Sequence, residues 1–347
     1  MSQDIVTARD IMRSLPTVLK KFPFVAKGLY YYRVKDDKKE LTLGKLVERN
    51  ADKHPTRPAI LFEDRSITWA ELDAWSNRIA HYLKDQGLVK GDAIAVLLEN
   101  RPELLATVVG AAKVGVACAM LNTSQKGKVL AHSINLIEPR LLVVGSELID
   151  NAESVRGEVQ LRHTHPLLYL HDGNTLNTFG DAPEGYVNLA LEVSRRPSTR
   201  PVLSNPVTMG DTAVYLYTSG TTGLPKAAPG SHRKFIKAYG GFGMLSLAME
   251  PEDVLYCTLP LYHGTALLVC WGSVLAGGSA IALRRKFSAS AFWDDVRRYN
   301  ATTFGYVGEL CRYLLNQPPC SQDRNHGLTK MIGNGLRPSI WKEFKER

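Results

Sequence analysis

The sequence predicts an α/β protein built as two α/β subdomains with mostly parallel sheets. Three observations lead there. After Thr42, helical and strand-like hydrophobic patterns alternate, the rhythm of βαβ units. From about Asn174 to Asp211 the composition shifts to Pro, Asn, Ser, Gly and Arg, after which the alternation resumes. A chain of 347 residues with 44% hydrophobic content is long enough for two cores. The expected organisation is an amphipathic segment over 1–40, an α/β subdomain over 41–173, a connection over 174–210 and a second α/β subdomain over 211–347.

The elements follow in order. Over residues 8–35, Ile11, Leu15, Val18, Leu19, Phe22, Phe24, Val25 and Leu29 interleave with Arg9, Arg13, Lys20, Lys21, Lys27 and Arg33, and Tyr30-Tyr31-Tyr32 follows. Pro16 and Pro23 predict an interrupted helix. Two readings stand side by side: a peripheral membrane-surface anchor, or two short helices packed on the protein body. Thr68-Trp69-Ala70-Glu71 is a capping box ahead of a helix marked by Leu72, Trp75, Ile79, Tyr82 and Leu83. Ile94–Leu98 reads as a buried strand, 103–114 as a helix, 116–121 as extended, 128–136 as a helix and 141–144 as extended. Beyond the connection come a strand over 213–218, a helix from about Ser231, a strand near 254–258 and a helix from about Thr265. Residues 288–299 and 307–315 read as helical, 302–304 and 331–332 as extended. The uncharged stretch 264–283 approaches bilayer length, but Gly277-Gly278 divides it into a buried helix and a buried strand.

Composition narrows the function. Charged residues at 22% and aromatics at 8% exclude wholesale disorder. The net charge of +9 suits nucleotides, coenzyme A or an anionic lipid surface. No Lys/Arg run or aromatic interleaving points to nucleic acid, so no nucleic-acid partner is expected. Five scattered cysteines, without a C-x-x-C pair or zinc-like Cys/His spacing, predict reduced thiols, and no metal site is expected within the chain. Acidic Asp4 and Asp10 and the lack of an apolar run argue against a signal peptide. The expected location is cytoplasmic, with peripheral contact at the inner face of a membrane if the first segment is an anchor.

The densest chemistry lies in Leu216-Tyr217-Thr218-Ser219-Gly220-Thr221-Thr222-Gly223-Leu224-Pro225-Lys226. Gly220 and Gly223 let the backbone turn and present consecutive N–H groups, an anion-binding concavity. Thr218, Ser219, Thr221 and Thr222 add hydroxyl donors and Lys226 a positive charge, so the expected guest is a polyphosphate. Leu224-Pro225 before the lysine rules out a Walker A loop, and no G-x-G-x-x-G opens a helix here. Tyr217–Lys226 resembles the phosphate loop of the acyl-adenylate-forming, or AMP-binding, superfamily: acyl-CoA synthetases, luciferases and peptide-synthetase adenylation domains.

Further elements extend the resemblance. Leu259-Pro260-Leu261-Tyr262-His263-Gly264 sits between a strand and a helix and is similar to the superfamily's P-L-[FY]-H element. That likeness implies that Tyr262 and His263 border the acyl carboxylate. Gly333-Asn334-Gly335-Leu336, ahead of Arg337-Pro338, together with Gly308–Leu315, Arg284–Ala289 and Phe292-Trp293, resembles the very-long-chain acyl-CoA synthetase and fatty acid transport protein branch. It implies that Gly333–Leu336 lie on the adenine and acyl side of the pocket. Asn100-Arg101-Pro102-Glu103 also looks like a family element, yet reads as a helix start with Pro102 in the first turn and is given no chemistry. Asn122-Thr123 stays open between a turn and an acyl-site element.

The resemblance implies a long-chain or very-long-chain fatty acid–CoA ligase working through acyl-AMP, with ATP, Mg²⁺ and coenzyme A. Family members continue with a nucleotide- and Mg²⁺-contacting element and a C-terminal lid domain carrying the catalytic lysine. Neither occurs in this sequence, so no catalytic residue is assigned within it, and an N-terminal portion of a longer enzyme is expected. The alternatives are a fatty acid uptake or binding protein without complete catalysis, and a nucleotide-binding remnant.

Overall fold

The computed structural model describes residues 8–162, 167–173, 179–218 and 223–347. Its strands in chain order are β1 (Pro58–Phe62), β2 (Arg65–Thr68), β3 (Ala93–Leu97), β4 (Ala117–Met120), β5 (Leu141–Gly145), β6 (Leu167–Leu170), β7 (Tyr186–Asn188), β8 (Thr212–Thr218), β9 (Lys226–Ser231), β10 (Val254–Cys257), β11 (Ala280–Leu283), β12 (Thr303–Val307) and β13 (Lys330–Asn334). They form two sheets, β13-β12-β10-β11-β1-β2 and β7-β6-β5-β3-β4-β8-β9. Every pairing is parallel except the hairpins β1–β2 and β8–β9, which sit at sheet edges. Apolar runs such as Ala93–Leu97 and Leu141–Gly145 are buried along their whole length, as expected of parallel strands covered on both faces. The predicted α/β class holds, with two mostly parallel sheets.

The sheets do not follow the sequence halves. β1 and β2 leave the first half to pair with β11, while β8 and β9 from the second half extend the sheet of β3–β7. The segments 41–173 and 211–347 thus each contribute strands to both sheets, because strand pairing between distant segments overrides chain order. The connection 174–210 is not a boundary between sheets either. It contributes β7 and the helix Leu189–Ser194 to the larger sheet.

The first segment departs from expectation too. A single helix runs from Ala8 to Arg33 through Pro16 and Pro23. Tertiary packing of its second half sets against the local cost of the prolines. Gly28 faces Gly240 so closely that a Cβ on Gly28 would lie 2.9 Å from the Gly240 oxygen, and one on Gly240 would lie 2.7 Å from the Gly28 oxygen. Tyr31 meets Tyr239 edge to face at 4.8 Å and accepts a 2.6 Å hydrogen bond from Arg49 Nη1. The capping box is formed: Thr68 Oγ1 accepts from Glu71 N at 3.2 Å, and Glu71 Oε2 accepts from Thr68 N at 2.8 Å. The 264–283 stretch resolves into helical turns over Thr265–Gly277, a left-handed Gly278 (φ 63°) and buried β11. Among the described residues no helix is long and apolar enough to cross a membrane.

Candidate functional site

In parallel α/β sheets the carboxyl ends of strands are where loops gather around ligands. β8 ends at Thr218 and returns as β9 from Lys226, with Thr218 and Lys226 as direct partners in the antiparallel ladder. The predicted phosphate loop thus falls in sequence between the paired strands β8 and β9. Ser219, Gly220, Thr221 and Thr222 lie outside the described residues. Gly223 adopts φ 85°, a left-handed conformation that suits glycine and turns the chain toward Leu224-Pro225. Thr218 and Lys226 are both exposed. The hairpin is braced from one side by the helix Gly127–Asn135: the Tyr217 hydroxyl donates to Ser133 O at 2.6 Å and His132 Nε2 donates to Pro225 O at 3.1 Å. Burial raises the pKa of Tyr217, so its hydroxyl stays protonated and keeps donating.

Tyr262 and His263 follow β10. Their rings are 4.7 Å apart, and His263 N donates to Pro260 O at 3.0 Å, which closes a turn. Partial desolvation lowers the pKa of His263, so the imidazole is neutral at physiological pH. A Cβ on Gly264 would lie 3.4 Å from Leu216 Cδ1, which places this turn against β8 just before the hairpin tip. Gly333 and Asn334 are not beyond a strand, as the sequence suggested, but are the last two residues of β13, because their ladder with Tyr306 and Val307 continues. Gly335, with φ 72°, turns the chain out, and Leu336 is half-buried beside it. The close backbone approach expected there is severe: a Cβ on Gly333 would lie 2.0 Å from Tyr306 O, and one on Gly308 would lie 1.8 Å from Gly335 O. β10, β12 and β13 are neighbours running in one direction, so Tyr262, His263 and Gly333–Leu336 share one edge of one sheet. The structure thus brings the turn after β10 to β8, and sets Gly333–Leu336 at the same sheet edge. Among the described residues Arg337 pairs only at long range with Glu309, at 3.8 Å between exposed side chains.

Sequence reasoning missed Asn100. Its buried side chain accepts from Leu261 N at 2.8 Å and donates to Leu259 O at 2.8 Å and Arg284 O at 3.1 Å. One amide therefore fixes the turn that carries Tyr262 and His263, and ties it to the end of β11. Its signals in the sequence are its place in the family-like Asn100–Glu103 element, which is given no chemistry, and its position shortly after a buried strand, which also fits an ordinary turn. Beside it lies a buried ionic cluster. Arg101 is fully buried and donates to His171 O at 2.8 Å and Leu170 O at 2.9 Å, with Glu147 at 3.5 Å. Arg65 of β2 pairs with Glu103 at 2.6 Å, and Arg285 after β11 pairs with Asp172 after β6 at 2.5 Å. These pairs join the two sheets. Among the described residues no three His, Cys, Asp or Glu side chains gather as a metal-ligand set.

The architecture defines a class: mixed α/β with two mostly parallel sheets, the arrangement seen in the N-terminal domains of adenylate-forming enzymes. The chain belongs to the AMP-binding enzyme family, whose pattern matches residues 47–347. It is 35% identical over 338 residues to the medium/long-chain-fatty-acid–CoA ligase FadD6 of Mycobacterium tuberculosis, covering 97% of this chain and 54% of that protein. It is 38% identical over 315 residues to human long-chain fatty acid transport protein 1, covering 88% of this chain and 47% of that protein. The anthranilate CoA ligase AuaEII in complex with anthranoyl-AMP has the same fold, with a TM-score of 0.77 at 22% identity over 90% of this chain and 58% of that one. The chain spans about half the length of these curated relatives.

Proposed function

We propose that this chain is the nucleotide- and acyl-binding portion of a long-chain fatty acid–CoA ligase. The observation that carries this is the β8–β9 hairpin, which sets exposed Thr218 opposite exposed Lys226 across a Ser/Thr/Gly tip in a chain of the AMP-binding family. In the proposed reaction a fatty acid carboxylate attacks the α-phosphate of ATP. The bond to pyrophosphate breaks, giving acyl-AMP. The coenzyme A thiol then attacks the acyl carbon and AMP leaves. Thr218–Gly223 and Lys226 hold the departing pyrophosphate and spread its charge, while Mg²⁺ accompanies the nucleotide phosphates. Tyr262 and neutral His263 border the acyl carboxylate without adding a competing positive charge. Gly333–Leu336 flank the adenine, where exposed Gly335, with no side chain, leaves the backbone open to a flat ring.

The test is fatty-acid-dependent ATP–pyrophosphate exchange by the full-length protein. Lys226→Ala should lower kcat/KM for ATP about 10- to 150-fold, since charge-assisted hydrogen bonds of roughly 1.5–3 kcal/mol are removed. An unchanged kcat/KM refutes the assignment. Pyrophosphate exchange absent from an intact full-length protein that still binds fatty acid would favour the uptake reading.

The first helix belongs to the same proposal. Met12 and Phe22 are 73% and 65% exposed, and Tyr30 is 56% exposed, so an apolar stripe faces outward among basic residues. We assign it to peripheral contact with a membrane, where the fatty acid substrate resides. Met12→Asp with Phe22→Asp should lower co-sedimentation with phosphatidylcholine vesicles while the thermal unfolding profile is kept. Undiminished co-sedimentation removes this contact.

A further inference from the structure

We propose that the recess beneath the first helix binds the phosphate headgroup of an anionic lipid. This rests on the membrane contact assigned above. The recess has a volume of ≈ 180 Å³ and is bounded by Lys27 of the first helix, Arg49 and Lys53 of the helix Leu43–Lys53, His54, Tyr239 and Glu250. Three permanent cations and an imidazole thus converge on a concave surface with one carboxylate, that of Glu250. Neither Lys27 nor Lys53 forms an ion pair among the described residues, and both are exposed. Arg49 spends one donor on Tyr31 Oη at 2.6 Å, which orients its guanidinium and leaves its other N–H groups free among the described residues. Nearby Arg57 donates to Pro251 O and pairs with Glu252. Burial, and then the charges of Arg57 and Lys53, lower the pKa of His54 against the opposing pull of Glu252.

The geometry relates the recess to a bilayer. By helical periodicity Met12 and Tyr30 share one outward line, Gly28 points at Gly240, and Lys27 lies on the flank between them. A helix lying with its outward stripe among acyl chains therefore keeps that flank at headgroup level. A phosphate there meets several cationic groups at once, whereas an ordinary surface lysine offers a single ammonium.

The experiment compares co-sedimentation with phosphatidylcholine vesicles and with phosphatidylcholine vesicles containing phosphatidic acid. Lys27→Gln with Lys53→Gln should weaken binding to the anionic vesicles about 25-fold, from about five-fold per lysine, and leave binding to the neutral ones unchanged. Lys35→Gln with Lys38→Gln removes two exposed lysines outside the recess and should have a smaller effect. An equal loss in that control, or no loss in the recess variant, overturns the site. Amine acetylation read by mass spectrometry separates the sources of phosphate. Anionic vesicles should protect Lys27 and Lys53, and inorganic phosphate at the same phosphate concentration should not. Equal protection by inorganic phosphate overturns the lipid source. Absence of wild-type binding to every vesicle overturns the membrane contact and the headgroup source together, whereas strong binding that ignores the recess lysines overturns the recess alone.

Discussion

Arg101 and Lys226 are both cations set close to the carboxyl ends of strands in the larger sheet, yet their surroundings are opposite. Arg101, shortly after β3, has no exposed surface and is occupied by the carbonyls of Leu170 and His171 and the carboxylates around it. Lys226, across from the end of β8, is exposed and forms no ion pair among the described residues. A guanidinium whose donors are used internally joins parts of the fold. An ammonium left in solvent at the start of β9 is available to an anion. The residue types alone do not separate these cases; tertiary placement does.

The sharpest way to break the comparison is Arg101→Ala. It would take the guanidinium from the Leu170 and His171 carbonyls and from partly buried Glu147, leaving Glu103 with Arg65 alone, and removing one member of a buried ionic group costs about 3–5 kcal/mol. Denaturant unfolding at neutral pH measures this. A loss below about 1 kcal/mol would mean that the cluster is wet or replaceable, and that Arg101 is no more structural than a surface residue.

The base of the hairpin provides the next effect. His232, directly after β9, is fully buried; Nδ1 accepts from Leu43 N at 3.2 Å, which leaves the proton on Nε2, where no partner is found among the described residues. Burial lowers its pKa from 6.5 to about 4, outweighing the attraction of Asp211. The unfolded imidazole takes up a proton below pH 6.5 while the folded one does not until about pH 4. His232 therefore leaves stability intact above pH 6.5 and erodes it by up to about 3 kcal/mol as pH falls through that window. Unfolding free energies of wild type and His232→Gln between about pH 7 and 5, where few carboxylates titrate, should differ in slope. Parallel profiles would show that the imidazole is solvated and that the hairpin base is open.

Legibility in the sequence followed the range of the interactions. The Thr68–Glu71 capping box and the Ile94–Leu98 run were legible because a few adjacent residues decide them. β9 was not: Lys-Ala-Ala-Pro-Gly-Ser has little strand character and is extended because it pairs with β8, and Pro229 is tolerated there at a sheet edge. The exchange of β1–β2 and β8–β9 between sequence halves was hidden for the same reason, since partner strands are far apart in the chain. At the site, Tyr217–Lys226 and Tyr262-His263 stood out by residue type. Asn100 did not, because its importance lies in backbone atoms of Leu259, Leu261 and Arg284, which are 159, 161 and 184 residues away. Gly308 was quoted only as part of a motif, and its steric role appears only when Gly335 is brought against it.

The smallest effect is the most discriminating. Lys226→Ala removes a side chain that touches solvent and forms no ion pair among the described residues, so stability should change by no more than about 0.5 kcal/mol. The same substitution is expected to lower the ATP-dependent exchange rate by an order of magnitude or more. Activity lost with stability kept is the signature of a group reserved for ligand. A matching loss of stability, read by the same unfolding experiment, would instead place Lys226 with Arg101 as a brace of the hairpin, and the distinction between the two cations would collapse.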